Sequence, residues 1–410
     1  MAKGELPGAR LPNWGLVATI LGAMEKQRAD SRAIYAWLRT REGSIVRLLE
    51  HMVKIESPSH DKTAVDRMGA LIAAEWKRRG ARVTILRNGQ RGNHVRAEIS
   101  RGRSPSAGQI LVLGHLDTVY PLGTLRRMPF RISSGRVFGP GTFDMKGGLA
   151  MALAAKDALR ALRITTRRKL VFLWTSDEEI GSGSSHRAIE AEARRSKAVL
   201  VLEPAFGKDG RLKTQRKGVG EAEIIVTGRS AHAGIDPESG VNAVHELALQ
   251  ITRLRKLNNP RRGVAVQANV VDGGTASNVV PERASALVDL RVARASDVSA
   301  LNRKLHALRP ILRGSRIEIK GGVNRPPMER TPESRKLFSL AHSLAREIGF
   351  KLGEASTGGG SDGNFTAALG VPTLDGLGAV GEGAHSPREC VVLRALPQRA
   401  ALLASLLASL

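Results

Sequence analysis

The stretch ILVLGHLDTVY, residues 110–120, decides how the chain is read. Its apolar head, ILVLG, has no period-two alternation of polarity, as expected of a strand covered by helices on both faces. Two comparable runs follow, LVFLWTSDEE at 170–179 and VLVLEP at 199–204. Each ends on side chains that bind metals or protons: His115 and Asp117, then Glu178 and Glu179, then Glu203. Open α/β sheets place their ligands at the carboxyl ends of strands, so these side chains are candidates for one shared site.

Working outward, helical and strand patterns alternate: helices at 44–54, 63–79, 147–162 and 184–194, and strands at 81–86, 94–99, 109–114, 169–175 and 198–202. That alternation predicts a layered α/β domain. Near residue 217 the pattern changes to βαββαβ, the order of a compact split-βαβ, ferredoxin-like unit: EAEIIVTG, a helix at 239–257, VAVQANVVDGG, RASALVDLRVA, a helix at 296–312 and RIEIKGG. The prolines of NRPPMERTP, 324–332, mark a linker, after which a helix at 333–348 and a strand at 371–375 resume the first style. The chain thus divides into a helical N-terminal extension at 1–43, a layered α/β domain at 44–216 and 327–410, and a domain inserted at 217–326.

Composition narrows the function classes. No stretch reaches the roughly 18 uninterrupted apolar residues of a membrane span. The segment LPNWGLVATILGAM, 11–24, lacks a small-x-small cleavage site and reads as a helix of a cytoplasmic protein, with a secreted or periplasmic location as the alternative. The lone cysteine, Cys390, excludes an internal disulfide and fits a reducing compartment. A net charge of +26 would suit a polyanion partner, but the basic residues are scattered and aromatics make up 3% of the chain, too few for a base-stacking platform. No specific nucleic acid and no membrane is expected.

Two further residues join the strand-end set. Asp144 lies in the glycine-rich GPGTFDMKGG, 139–148, and His385 in GLGAVGEGAHSP, 376–387. One imidazole and one carboxylate for each of two metals, with a fifth carboxylate shared, is the ligand count of a dinuclear zinc site. Taken singly each has an ordinary reading: His115 a hydrogen-bonded core histidine, Glu203 a cap before Pro204, His385 a loop residue, and the adjacent Glu178 and Glu179 a solvated turn. Their convergence on one edge of one sheet argues against coincidence.

The motifs GHLDTVYP, GPGTFDMKGG, TSDEEIGSGSS, LEP, GRSAHAG, SNVVP, DLRVAR, STGGGSD and GAHS occur in that order. With them the chain, from about residue 44 to its end, resembles the zinc-dependent exopeptidases and amidohydrolases, a family that includes glutamate carboxypeptidase, aminoacylase, acetylornithine deacetylase and succinyl-diaminopimelate desuccinylase. The glutamate carboxypeptidase branch is the most similar, through HLDTVYP, EPAFGKDGRL and TGGGSD. The resemblance implies a layered zinc-exopeptidase catalytic domain with the inserted unit serving as lid and dimerisation domain. It implies two Zn²⁺ per subunit, with Co²⁺ or Mn²⁺ as substitutes: Asp144 bridging, His115 and Glu203 completing one metal, Glu179 and His385 the other.

In the same pattern Asp117 orients the His115 imidazole, and Glu178 is the general acid/base rather than a ligand. His232 reaches an active site from the lid, in several members that of the partner subunit. Asn278 and Arg291 hold the free carboxylate of the substrate, and Gly360, in STGGGSDGNF, belongs to a loop offering backbone N–H groups. Asp362 reads as the cap of the helix that follows. Arg211 stands where the glutamate-releasing branch carries a basic residue, and Arg325 lies in the matching linker. The implied partners are a small N-acyl amino acid or peptide, with glutamate as the first choice of released residue, and a second copy of the chain, with VAVQANVV as candidate edge. Met145 departs from relatives that carry an acidic or polar residue after the bridging aspartate, and the basic N-terminal extension has no counterpart. The alternatives are an aminoacylase or dipeptidase of broader range, and a non-catalytic polyanion-binding protein that keeps the fold.

Overall fold

The computed structural model describes residues 30–100 and 108–410. The expected helix at 11–24 lies outside the described residues. Six strands form the main sheet in the order Arg82–Leu86, His94–Ile99, Lys169–Thr175, Gln109–His115, Ser196–Val201 and Thr373–Leu374. The first two strands run antiparallel to their neighbours, and the last four are mutually parallel. Along Gln109–His115, Ile110 and Val112 enter one hydrophobic cluster while Leu111 and Leu113 enter another. Successive strand side chains point to opposite faces, so the unalternating run ILVL is what a sheet with two dry faces requires.

The larger cluster packs the helices Lys62–Arg78, Gly147–Ala161 and Ala395–Ser409 against the sheet, with Trp76, Phe172 and Trp174 in ring contact at its centre. Gly147–Ala161, GGLAMALAAKDALRA, is nearly all small or apolar, and this lets its start approach the strand ends. A Cβ at Gly148 would lie 2.6 Å from the Leu202 carbonyl oxygen, so only glycine fits beside the turn that carries Glu203. The smaller cluster lies under the helices His186–Arg194 and Gly363–Ala368.

The expected N-terminal extension is corrected from Ser31 onward. Asp30 caps the helix Ser31–Arg39 by accepting from the Arg32 and Ala33 amides, and Ile34 and Leu38 are fully buried. The helix packs on Ala395–Ser409 as part of the core.

A second, four-stranded antiparallel sheet is ordered Ala265–Gly273, Arg283–Val292, Gly218–Thr227, Arg316–Arg325. The helices Ala243–Arg255 and Ala295–His306 share its separate hydrophobic cluster. Its last strand runs on to Arg325, which the sequence reading had assigned to a linker. The strand expected at 371–375 shrinks to Thr373–Leu374.

A small sheet that the sequence reading did not foresee joins Gly381–Glu382, Cys390–Val392, Arg136–Phe138 and Arg131–Ser133. It ties the loop bearing Asp144 to the loop bearing His385. Among the described residues, no helix is long and apolar enough to cross a membrane.

Candidate metal centre

Five segments deliver the five expected ligands to one place. His115 closes its strand, Glu203 follows the end of Ser196–Val201, Glu178 and Glu179 begin a short 3-10 turn after Lys169–Thr175, and His385 lies between two strands of the small sheet. His385 adopts φ 59°, left-handed backbone that a non-glycine residue holds only where its surroundings demand it. The bridge between the halves is Asp144. His115 Nε2 is 3.1 Å from its Oδ1, and His385 Nε2 is 3.4 Å from its Oδ2. On one side His115 Nε2 also stands 3.6 Å from Glu203; on the other, His385 Nε2 stands 3.1 Å from Glu179. His115, Asp144 and Glu179 offer ligand atoms within 4.8 Å of one another, as do His115, Glu178 and Glu203.

Neighbouring groups fix these side chains. The second imidazole nitrogen of His115 is 2.9 Å from the Asp117 carbonyl oxygen and 3.5 Å from its carboxylate. Asp117 in turn accepts from Ser59 Oγ at 2.7 Å and from the Glu178 and Glu179 amides at 3.2 Å each, so one buried carboxylate orients an imidazole and the turn opposite. Glu178 and Glu179 diverge: Glu179 faces His385, while Glu178 Oε1 accepts from Arg325 Nη1 at 2.7 Å. Beneath Asp144, buried Glu389 accepts from the amides of Gly141, Phe143 and Asp144 at 2.9, 2.7 and 2.9 Å. Met145 is fully buried, and its sulfur accepts from the His115 amide at 3.3 Å; the departure at this position belongs to the core.

The electrostatics test whether a cation fits. Burial, then the Asp144 and Glu178 charges, push Glu203 well above the usual carboxylate range. Burial likewise raises Glu179, against a partial offset from His385. Hydrogen bonds to Asp144 and Glu179 lift His385 to about 10. For His115, full burial opposes the charge, but bonds to Asp117 and Asp144 outweigh it and raise the pKa. Glu179 Oε1 is buried with no hydrogen-bond partner. Buried like charges and an orphaned carboxylate oxygen need compensation, and nitrogen and oxygen donors in this arrangement fit a pair of divalent cations such as zinc. His115, Glu203 and Asp144 would hold one, and Asp144, Glu179 and His385 the other.

The remaining expected residues separate into groups. Gly360 lines a cavity of about 430 Å³ together with Asp144, Glu203, Lys213 and Arg216. Arg291 reaches the same glycine run, donating to the Gly358 carbonyl at 3.2 Å, but its guanidinium is forked on Asp289 at 2.9 and 2.7 Å. His232 and Asn278 sit together on a two-stranded ribbon, Ala231–His232 with Val279–Val280. Both are exposed, and among the described residues no hydrogen bond or ion pair joins His232 to the metal centre.

Arg211 does not line the cavity; it pairs with Asp209 at 3.1 Å and stacks on Phe206. Arg325 is buried rather than free in a linker, giving Nη2 to the Glu178 carbonyl at 2.9 Å and to Ser182 Oγ at 2.6 Å. Asp362 makes no capping bond; it accepts from Thr175 at 3.0 Å, from Ser182 and from Arg325 at 3.4 Å. For Arg325 and Asp362 the cause is one: each side chain found buried partners far away in sequence, whereas Arg211 pairs locally with exposed Asp209.

Known proteins carry the same architecture. Residues 111–409 match Peptidase family M20/M25/M40. Carboxypeptidase G2 of Pseudomonas sp. (strain RS-16) is 30% identical over 96% of this chain and 95% of its own. Succinyl-diaminopimelate desuccinylase of Dechloromonas aromatica is 31% identical over 73% of this chain and 83% of its own. Among solved structures, aminopeptidase PepT of Bacillus cereus superposes with a TM-score of 0.73 at 21% identity, covering 90% of this chain and 98% of that one. Bacillus subtilis YXEP, a dinuclear metal binding peptidase, has a TM-score of 0.64 at 17% identity, covering 91% of this chain and 98% of that one. With the family match spanning most of the described sheet and helices, the chain belongs to the M20/M25/M40 peptidases and is a metallohydrolase of amide bonds.

Proposed function

We propose that this enzyme binds two zinc ions and cleaves the amide bond next to a free C-terminal carboxylate, releasing glutamate first from N-acyl or peptidyl substrates. One observation carries the reading: Asp144 stands between two imidazoles, each with its own further carboxylate, and Glu178 stands beside them without facing His385. When bound, the zinc ions supply Lewis acidity toward a carbonyl and toward water.

The chain's own residues do the rest. Arg325 occupies one oxygen of Glu178, leaving the other to take a proton from the attacking water and pass it to the departing nitrogen. Asp117 is a positioning residue, acting through His115 and through the turn that holds both glutamates. His232 and Asn278 serve the site of a partner copy in a homodimer, since they are exposed and, among the described residues, bonded only within their own ribbon and its turn. Arg291 and the loop around Gly360 receive the substrate's carboxyl end. The preference for glutamate draws on the likeness to carboxypeptidase G2 along nearly the whole chain.

The test combines Glu178→Gln with metal removal and a panel of N-acyl amino acids. Chelation abolishes activity and added Zn²⁺ restores it. The Glu178→Gln protein keeps its metal while kcat falls by about a thousandfold or more. An active Glu178→Gln enzyme would refute the general-base role; an apolar or basic leaving residue preferred over glutamate would refute the specificity.

A further inference from the structure

We propose that Lys213 selects the substrate by pairing with a second carboxylate, one other than that beside the scissile bond. The inference rests on the amide-hydrolase reading above and assigns to it a residue that the sequence motifs do not point to.

The cavity of about 430 Å³ next to Asp144 and Glu203 is walled in part by Phe206, Lys208, Lys213, Arg216 and Gly360. The arginines around it already have carboxylate partners, and Arg291 is in addition assigned above to the carboxyl group beside the scissile bond. Arg216 forks onto Asp375 at 2.9 and 2.8 Å, gives Nη1 to the Gly359 and Gly360 carbonyls at 3.0 Å each, and holds Nη2 3.6 Å from Glu203. Arg291 is held by Asp289, Arg325 by Glu178, and Arg211 by Asp209. Of the carboxylates on the wall, Asp144 and Glu203 belong to the metal centre, and Glu382 is paired with Arg136.

Lys213 differs from all of these. It is only 8% exposed, and among the described residues its ammonium makes no hydrogen bond and no ion pair. The other buried lysine, Lys146, donates to the Ile55 carbonyl at 2.9 Å. The Lys213 stem is clamped: it sits in the strand Leu212–Arg216, and a Cβ added at Gly376 would meet its Cγ at 3.3 Å. Burial, then the neighbouring Arg216 charge, lowers its pKa, against a partial offset from the Asp375, Glu203 and Asp144 charges, none of which among the described residues forms an ion pair with it. A buried ammonium costs free energy unless paired, so a fixed, unpaired one in the wall of a substrate cavity is a preorganised receptor for an anion. A carboxylate is the anion that an amide substrate of this class brings, on the released residue's side chain or on the acyl group.

Paired substrates locate the effect: N-benzoyl-glutamate against N-benzoyl-glutamine varies the released residue, and an N-succinyl against an N-butyryl amino acid varies the acyl group. Wild type favours the charged member of one pair by about 10- to 100-fold in kcat/KM, and in Lys213→Met that ratio falls toward one. Lys213→Arg retains most of the preference, which separates charge from packing. Calorimetry of L-glutamate against L-glutamine on the metal-loaded protein gives a readout independent of turnover, with the glutamate preference lost in Lys213→Met. If neither ratio nor the calorimetric preference changes while amides are still hydrolysed, Lys213 merely offsets the charge of Glu203 and Asp375, and the proposal falls. If no amide in the panel is turned over, the functional reading fails instead, and calorimetry alone decides on Lys213.

Discussion

Glu389 holds the backbone on which the shared aspartate sits, yet nothing in GAHSPRECVV marks it. Its three amide donors precede it by about 250 residues, and a carboxylate accepting backbone N–H groups leaves no pattern in sequence. The five candidate ligands stood out in the sequence because each follows an apolar strand or lies in a glycine-rich loop, where a chemical side chain has no packing reason to be. Arg211 and Arg325 misled because a basic residue near a motif says nothing of which carboxylate will claim it. Glu389→Gln turns an amide group toward these N–H donors and loosens Asp144. Metal affinity falls by about 10- to 100-fold, measurable by competition with a chromogenic chelator; unchanged affinity would show that the loop holds itself.

At the scale of elements, the strands of the main sheet announced themselves through apolar runs buried on both faces, and the helices through their periodicity. The helix Ser31–Arg39 read as an extension because nothing local shows what its apolar face packs on, and Ile34 and Leu38 are buried in a core shared with the distant helices Ala395–Ser409, Pro332–Ile348 and Gly147–Ala161. The small sheet was invisible since its strands are two or three residues long, too short for any period. In the second sheet's unit, Glu246 joins a helix to the loop before the last strand. It accepts from the Ile311 and Leu312 amides at 3.0 and 2.6 Å, from Ser315 Oγ at 3.2 Å and from Gln250 at 2.6 Å. Burial would raise its pKa, but these bonds outweigh burial and hold it below the ordinary value. A carboxyl group depressed in the folded state stabilises above its unfolded pKa, and that contribution is lost as pH falls through the folded one. Glu246→Gln therefore costs about 1–3 kcal/mol at neutral pH, and the gap from wild type narrows on acidification. Urea melts at neutral and acid pH check both; a pH-independent gap would mean that the carboxylate charge is not what holds the loop.

For the whole molecule, the charge of +26 carries little of the argument, because the cations that matter are the few buried ones. Assembly matters more. The strand Ala265–Gly273 is an open edge of its sheet, and Val270 and Val271 on it are 55% and 57% exposed, apolar surface on a strand with unpaired backbone groups. In the homodimer proposed above, a second copy would pair there and bury both, and its ribbon would bring His232 and Asn278 to the first copy's site. Light scattering then gives twice the chain mass, and Val271→Lys gives monomers with reduced kcat. Complementation is the sharper measurement. His232→Ala and Glu178→Gln proteins are each nearly inactive alone. Unfolded together in equal amounts and refolded, half of the dimers are mixed; in each of these, the subunit with intact Glu178 receives His232 from its partner. One site in four works, so activity recovers to about a quarter of wild type. No recovery from a properly refolded mixture would confine His232 to its own chain, and the edge strand would then need another explanation for its exposed valines.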